Sequence, residues 1–111
     1  MSAGLDALDP VIHAPKRLAA MAILVNSKAA DFGFLRGHLG VSDSDLSKQM
    51  AALEKAGYVT ATKTGRGRGG STWYRATPEG AAAFRRHMAA LDAIARLTAE
   101  PAGAEAPGAA S

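Results

Sequence analysis

Residues 40–57, with the sequence GVSDSDLSKQMAALEKAG, constrain the fold more than any other stretch of the chain. Ser42 is a favourable N-cap, because its hydroxyl can accept a hydrogen bond from a backbone N–H of the first helical turn. Gly57 can take the left-handed conformation that ends a helix. At about 100° per residue, three apolar side chains fall on one side: Leu46, Met50 and Leu53. The pattern predicts a tight turn followed by a helix with one buried face.

The outward face of this helix carries small or hydrogen-bonding side chains, namely Ser44, Ser47, Lys48 and Ala51. Such a face can lie close against a grooved surface, where Ser and Lys side chains contact base edges or phosphates. The chain that follows is basic, because residues 55–78 contain five Lys or Arg residues and no Asp or Glu. The helix and this segment together have the charge of a surface that binds a polyanion.

The sequence before Gly40 indicates a short helical turn and two further helices. Asp9 and Pro10 can begin a short helical turn, and Pro15 can begin a longer helix that ends at Asn26. A very short strand is expected at Phe32. Residues 33–39 have the apolar spacing of another helix, for which we expect three inward side chains: Phe34, Leu35 and Leu39.

The chain after Gly57 predicts a hairpin and a long helix. Residues 58–63 and 72–76 have the β-branched and aromatic content of strands, with Trp73 expected to pack at the hairpin base. The loop between them is rich in glycine and contains Arg66 and Arg68. Thr77 and Pro78 are typical of a helix start. An apolar stripe follows along this helix: Phe84, Met88, Leu91 and Ala95, widened by Ile94 and Leu97.

This order of segments resembles the winged helix-turn-helix of bacterial transcriptional regulators, and most closely the small MarR/ArsR-like regulators. The resemblance covers residues 8–97 and rests on LDPVIHAPKRL, DFGFLRGHLGVSDSDLSKQMAALEKAGYV and TWYRATPEG. It implies a mainly α, α+β fold with a two- to three-stranded antiparallel wing and a long C-terminal dimerisation helix. The sequence departs from the family pattern at Gln49, where a His is common, and at Ala51, where a basic residue is common.

The resemblance implies a sequence-specific regulator that binds double-stranded DNA, as a homodimeric repressor on a pseudo-palindromic operator. One helix of each protomer would enter a major groove, and the loop arginines would reach the minor groove or the backbone. For Asp45 two alternative roles are open: it orients its neighbours, or it accepts a hydrogen bond from a cytosine amine. The candidate DNA contacts are Ser42, Ser44, Asp45, Ser47, Lys48, Lys55, Lys63, Arg66, Arg68, Ser71 and Thr72.

The apolar stripe of the last helix is longer than so small a domain can cover. We therefore expect its far half and the N-terminal segment to form the dimer contact. A small-molecule effector, if one exists, would bind at the dimer interface or between the last helix and the DNA-binding core. The candidate interface residues are Leu8, Val11, Ile12, Phe84, His87, Met88, Leu91 and Ile94.

Several other functions are compatible with parts of the sequence. A winged-helix docking module without specific DNA binding would use the long helix as its surface, although it has no need of a basic wing. The Gly- and Arg-rich loop could also belong to an RGG-like RNA-binding segment. Three histidines, His13, His38 and His87, lie on different elements and lack metal-ligand spacing, so we predict no metal and no cofactor. His13 and His87 are expected to meet at the dimer interface. No catalytic constellation is present, and we predict no enzymatic activity.

Length and composition limit the remaining possibilities. A chain of 111 residues supports one domain, with a flexible start at residues 1–7, the domain at residues 8–98 and a disordered Ala/Gly/Pro tail at residues 99–111. The absence of cysteine excludes disulfides and thiolate metal sites. The longest apolar run, residues 18–25, is far below the roughly 18 residues that span a bilayer. We expect a cytoplasmic protein without a membrane partner, associated with the nucleoid when it binds DNA.

Overall fold

A computed structural model describes residues 5–65 and 70–97 of the chain. The helices are α1 (Pro10–His13), α2 (Pro15–Val25), α3 (Phe32–Leu39), α4 (Asp43–Lys55) and α5 (Pro78–Ala95). The strands are β1 (Ala30–Asp31), β2 (Val59–Thr64) and β3 (Ser71–Ala76). The predicted fold class is confirmed, because a mainly helical chain surrounds one three-stranded antiparallel sheet.

The two ends of the chain were predicted to lack structure. Within the predicted flexible start, Leu5–Ala7 instead form a 3-10 turn that lies against α5. The predicted tail at residues 99–111 lies outside the described residues, as do Arg66 and Arg68 of the wing loop.

The strand β3 lies in the middle of the sheet, between β1 and β2. The short strand that was expected at Phe32 is found at the two preceding residues, where Ala30 pairs with Tyr74 and Asp31 pairs with Trp73. Asp31 also explains why the helix begins at Phe32. Its carboxylate accepts a hydrogen bond of 2.8 Å from the backbone N–H of Phe34, which caps the first turn of α3.

The ends of α4 form as the sequence predicts. The Oγ of Ser42 accepts a 3.1 Å hydrogen bond from the backbone N–H of Asp45, which confirms Ser42 as the N-cap. The turn before it passes through Gly40 at φ 66°, and the chain leaves the helix through Gly57 at φ 82°. Both angles are in the left-handed region that glycine adopts without strain.

The core lies between α2, α3, α4 and the inner face of the sheet. The predicted inward side chains of α4 are at most 1% exposed. These side chains hold α4 against α2 and leave its opposite face in solvent. The largest fully buried apolar side chains are Ile12, Met21, Leu24, Leu35, Leu46, Met50, Leu53 and Val59.

The start of α5 packs closely against the backbone at Tyr58. Thr77 caps α5 by accepting a 2.9 Å hydrogen bond from the N–H of Gly80, and its hydroxyl donates to the carbonyl of Gly57 at 2.7 Å. A Cβ atom at Gly80 would lie only 2.1 Å from the carbonyl oxygen of Tyr58. The missing side chain at this position therefore permits α5 to lie directly on the segment that joins α4 to β2.

Two residues that were predicted at the dimer interface are buried inside the protomer. Ile12 and His87 are both 0% exposed. The prediction was wrong for these two because α1 folds over its own domain and because the buried face of α5 consists of His87 and three small residues, Gly80, Ala83 and Ala90. Their side chains are not available to a partner. The other candidates are half-buried or exposed: Leu8, Val11, Phe84, Met88, Leu91 and Ile94.

Candidate nucleic-acid interface

The solvent-facing side of α4 presents small and basic polar side chains. Ser42, Ser44, Ser47, Lys48 and Lys55 are all exposed. The hydroxyl oxygens of Ser42 and Ser44 lie 3.4 Å apart at the start of the helix. Because hydroxyls donate and accept and a Lys ammonium donates, this face can bind both base edges and phosphate oxygens.

Asp45 differs from its exposed neighbours because its carboxylate is already bound within the protomer. It accepts a 2.5 Å hydrogen bond from Nζ of Lys16 and a 2.9 Å hydrogen bond from Nε2 of Gln49. The bond from Lys16, followed by that from Gln49, lowers the pKa of Asp45 below its usual value of 3.8. The carboxylate is held towards α2, and these contacts agree with the alternative role of orienting neighbours.

Sequence reasoning missed the part that Arg17 plays beside α4. Its Nη1 donates to Oε1 of Gln49 at 2.8 Å, and its Nε donates to the carbonyl of Val11 at 2.6 Å. Arg17 and Gln49 are 32 positions apart, so no local spacing predicts the contact. The one available signal was the departure of Gln49 from the family pattern.

A second ion pair joins α3 to the start of α4. Nη1 of Arg36 lies 2.7 Å from Oδ1 of Asp43, with side-chain exposures of 47% and 70%. A pair this exposed contributes little to stability, because water and salt screen it. Its effect is electrostatic and local, since it offsets one of the two acidic charges in the first turn of α4.

The strand positions that were predicted to contact DNA are divided between the two faces of the wing. Lys63 pairs with Thr72, and Thr64 pairs with Ser71. Successive residues of a strand point to opposite faces, so Ser71 and Thr72 are directed away from each other. Lys63 and Thr72 share the face of the buried Tyr74. The wing contacts predicted from the sequence therefore lie on both faces of the hairpin, with Lys63 and Thr72 on one face and Ser71 on the other.

An exposed aromatic pair lies between α3 and the sheet. Phe34 is 47% exposed and Trp73 is 40% exposed, and both line a shallow groove with Ala29. The prediction that Phe34 points inward was wrong, because Leu35 takes the core-facing position and Phe34 stacks on His38 with 4.0 Å between ring centroids. Trp73 lies on the outer face of the sheet, opposite to its neighbour Tyr74.

His13 and His87 meet within one protomer and not across a dimer interface. Nδ1 of His87 lies 3.0 Å from the backbone nitrogen of Asp9, and Nε2 of His87 lies 3.3 Å from Nδ1 of His13. A backbone N–H only donates, so Nδ1 of His87 is an acceptor and the proton of the neutral ring is on Nε2. That nitrogen then has no lone pair for a metal. Burial, followed by the charge of His13, lowers the pKa of His87 below 6.5.

Three further observations concern the part of the chain that the structure describes. In residues 5–65 and 70–97, no three His, Asp or Glu side chains are grouped as metal ligands. No helix in the same residues has both the length and the apolar character needed to cross a membrane. Among these residues every buried side-chain nitrogen or oxygen also has a hydrogen-bond partner.

Comparisons with known proteins agree with this geometry. A family model described as a winged helix DNA-binding domain matches residues 16–95. The transcriptional regulator homologue protein from Pyrococcus horikoshii OT3 has a TM-score of 0.73 and 24% identity, over 78% of this chain and 86% of that one. HlyU from Vibrio cholerae N16961 has a TM-score of 0.60 and 25% identity, over 76% and 87% of the two chains.

A third solved structure, named "possible transcriptional regulator for arsenical resistance", has a TM-score of 0.62 and 28% identity. The match covers 85% of this chain and 98% of that one. No curated protein sequence matches the chain significantly. The family match runs from the first turn of α2 to the end of α5 and so includes α4 and both wing strands. The chain therefore belongs to the winged helix DNA-binding domain family and is a small winged-helix transcriptional regulator.

Proposed function

We propose that the protein is a homodimeric repressor of the MarR/ArsR type that binds a pseudo-palindromic operator. The observation that carries the proposal is the two-sided character of α4. Its apolar side is fully buried, whereas Ser44, Ser47 and Lys48 are exposed on the other side. A helix that is anchored by its core face and polar on its free face can lie in a major groove with its side chains against base edges.

The proposed contacts divide between base recognition and phosphate binding. Ser44, Ser47 and Lys48 would contact base edges or nearby phosphates from the middle of α4. Ser42 and Lys55 lie next to the two ends of the helix, where the phosphate backbone passes a helix in the groove. The wing would add contacts with the backbone or the minor groove through Lys63, Arg66, Arg68, Ser71 and Thr72.

The dimer would form on the apolar residues that the protomer leaves exposed beside α5. Met88 is 42% exposed, Leu97 is 57% exposed, and Leu5 of the N-terminal turn is 58% exposed. Burial of these side chains against a second copy would remove apolar surface from water and place two α4 helices about a two-fold axis. Any small-molecule effector would then bind at this interface.

One observation favours a second candidate function. The exposed Phe34 and Trp73 form an apolar patch that a winged-helix docking module without specific DNA binding could use, on α3 and β3 and not on the long helix that the sequence suggested for such a module. The exposed lysines on α4 and β2 favour the DNA-binding function over this one.

Selection of DNA duplexes from a random pool tests the proposal. Repeated binding and sequencing should yield a pseudo-palindromic motif whose half-sites are about 10 base pairs apart. Lys48→Ala should weaken binding to the selected site more than binding to a random duplex. Lys28→Ala is the matched control, because Lys28 is an exposed lysine of the connection between α2 and β1. A selection that returns no motif would favour the docking module.

A further inference from the structure

We infer that Arg17 is a positioning residue for DNA recognition, which orients α4 through Gln49 and Asp45 without binding DNA itself. The inference rests on the proposed function, because it concerns the same recognition surface. It assigns a role to four polar residues that join the first turn of α2 to one flank of α4. These residues are Lys16, Arg17, Asp45 and Gln49, and we call them the α2–α4 bridge.

Arg17 is at the centre of this bridge. Its Nε donates to the carbonyl oxygen of Val11 at 2.6 Å, and its Nη1 donates to Oε1 of Gln49 at 2.8 Å. The guanidinium is planar, so two hydrogen bonds from different nitrogens restrict its rotation as well as its position. The side chain is half-buried. Arg17 therefore connects the backbone of α1 to a side chain of α4 in one fixed geometry.

The bridge closes through Asp45. Nε2 of Gln49 donates to Oδ1 of Asp45 at 2.9 Å, and Nζ of Lys16 donates to Oδ2 of Asp45 at 2.5 Å. Asp45 and Gln49 are one helical turn apart, on the same face of α4. Lys16 and Arg17 are neighbours on α2. Each of the two α2 cations thus holds one of two stacked side chains on α4.

The hydrogen bonds of the α2–α4 bridge fix the orientation of α4 about its own axis, which its buried apolar side chains do not fix alone. Burial of Leu46, Met50 and Leu53 opposes separation of α4 from the core, but the hydrophobic effect is non-directional and does not by itself set the precise angle of the helix about its axis. Hydrogen bonds weaken steeply when their angles change. Because Asp45 and Gln49 adjoin the exposed Ser44 and Lys48 in sequence, fixing the first pair fixes the direction of the second.

The same contacts argue against a phosphate-binding role for Arg17. Two of its nitrogens already donate to protein oxygens, and moving it to a phosphate would leave Oε1 of Gln49 without this donor. Lys16, in turn, is paired with a carboxylate on the DNA-facing helix. Both cations count towards the basic charge of the chain, yet within the bridge they bind the protein.

A double-mutant cycle tests the inference. The wild type, Arg17→Ala, Gln49→Ala and the double variant are titrated with the selected duplex and with a random duplex at several salt concentrations. Each single variant should lose roughly tenfold in affinity for the selected duplex, the scale of one lost hydrogen bond to a charged group. Binding to the random duplex and the salt slope should not change. The double variant should lose no more than a single one, because both substitutions break the same bridge.

Arg17→Lys separates charge from geometry. Lysine keeps the positive charge but cannot make both guanidinium hydrogen bonds, so this variant should resemble Arg17→Ala in a positioning role. If Arg17 instead contacts phosphate, Arg17→Lys should bind like the wild type, and Arg17→Ala should weaken both duplexes and reduce the salt slope by about 0.9. That result, or additive losses in the cycle, would overturn the inference.

Folding and the proposed function are checked separately. Thermal unfolding of each variant shows whether Arg17→Ala still folds. If Arg17→Ala does not fold, the comparison of Gln49→Ala with the wild type is the test, because Gln49 lies at the edge of the core. Lys63→Ala is the control for a phosphate contact and should reduce the salt slope by about 0.9. A wild type that binds neither duplex in a salt-sensitive manner would overturn the proposed function, and this inference with it.

Discussion

The backbone N–H of Asp9 donates a 3.0 Å hydrogen bond to Nδ1 of His87, which ties the N-terminal turn to the middle of α5. The carboxylate of Asp9 also accepts a 2.5 Å hydrogen bond from the hydroxyl of Tyr58, besides capping α1. The bond with Asp9, followed by burial, raises the pKa of Tyr58 to about 12. One residue thus joins α1, α5 and the segment that follows α4.

Because burial, followed by the charge of His13, lowers the pKa of His87, the stability of the fold should decrease as the pH falls below 6.5. The folded state lowers the pKa of His87, so the unfolded state binds a proton first. The stabilisation is complete above the unfolded pKa of 6.5 and is lost progressively as the pH falls towards the lower folded pKa. Urea unfolding at a series of pH values measures this loss.

His87→Asn should reduce this pH dependence, since it removes the titrating ring. His38 provides the control, because it is exposed on α3 and contacts only the ring of Phe34 and its carbonyl oxygen among the described contacts. His38→Asn should leave the pH profile as it is in the wild type. An equal slope in the wild type and in His87→Asn would show that His87 is not the group that titrates.

Gly80→Ala should destabilise the protein by about 3 kcal/mol or more, because a Cβ atom cannot occupy a position 2.1 Å from a backbone oxygen without displacing α5. The matched control is Gly37→Ala in the middle of α3, where no atom lies within 4 Å of the added Cβ. There we expect a gain of about 0.5 to 1 kcal/mol from helix propensity. Chemical unfolding of both variants measures the difference, and similar values would contradict the close approach of α5.

Some of the fold follows from local sequence alone. The cap at Ser42, the positive φ at Gly57 and the buried side of α4 were all predictable, because each depends on residues within one or two helical turns. The buried face of α5 was not predictable in this way. Its buried stripe contains Gly80, Ala83 and Ala90, whose small side chains permit close packing but carry little hydrophobic signal.

The long-range polar contacts of the protein could not be predicted from the spacing of residues along the chain either. Asp9 and His87 are 78 positions apart, and Arg17 and Gln49 are 32 apart. Such pairs form only when the packing of several helices brings them together. The sequence indicated that α4 has a free polar face, but it did not indicate which of its polar residues are already bound to the rest of the protein.

Met88→Glu should dissociate the proposed dimer. Met88 is 42% exposed in the protomer, so the substitution should preserve the fold while it places a charge in the apolar interface. We expect dimerisation to weaken at least roughly tenfold, measured by analytical ultracentrifugation. Ala89→Glu is the control, because Ala89 is an exposed neighbour that points to another side of α5. Equal effects of the two substitutions on dimerisation would show that Met88 does not lie in the dimer interface.

Replacement of both Arg66 and Arg68 by Ala should weaken DNA binding and reduce its salt dependence. If each arginine neutralises one phosphate, the slope of log affinity against log salt should decrease by roughly 1.8. The loss should be similar for specific and random duplexes, since phosphate contacts carry no sequence information. An unchanged affinity and slope would remove the wing arginines from the proposed interface.

The most direct test of the central claim is fluorescence anisotropy of the wild type with the selected duplex and a random duplex at two salt concentrations. Light scattering on the same samples gives the oligomeric state. We predict that a dimer binds both duplexes in a salt-sensitive manner and binds the selected one more tightly. No binding to either duplex at low salt would contradict the assignment of α4 and the wing as a DNA-binding surface.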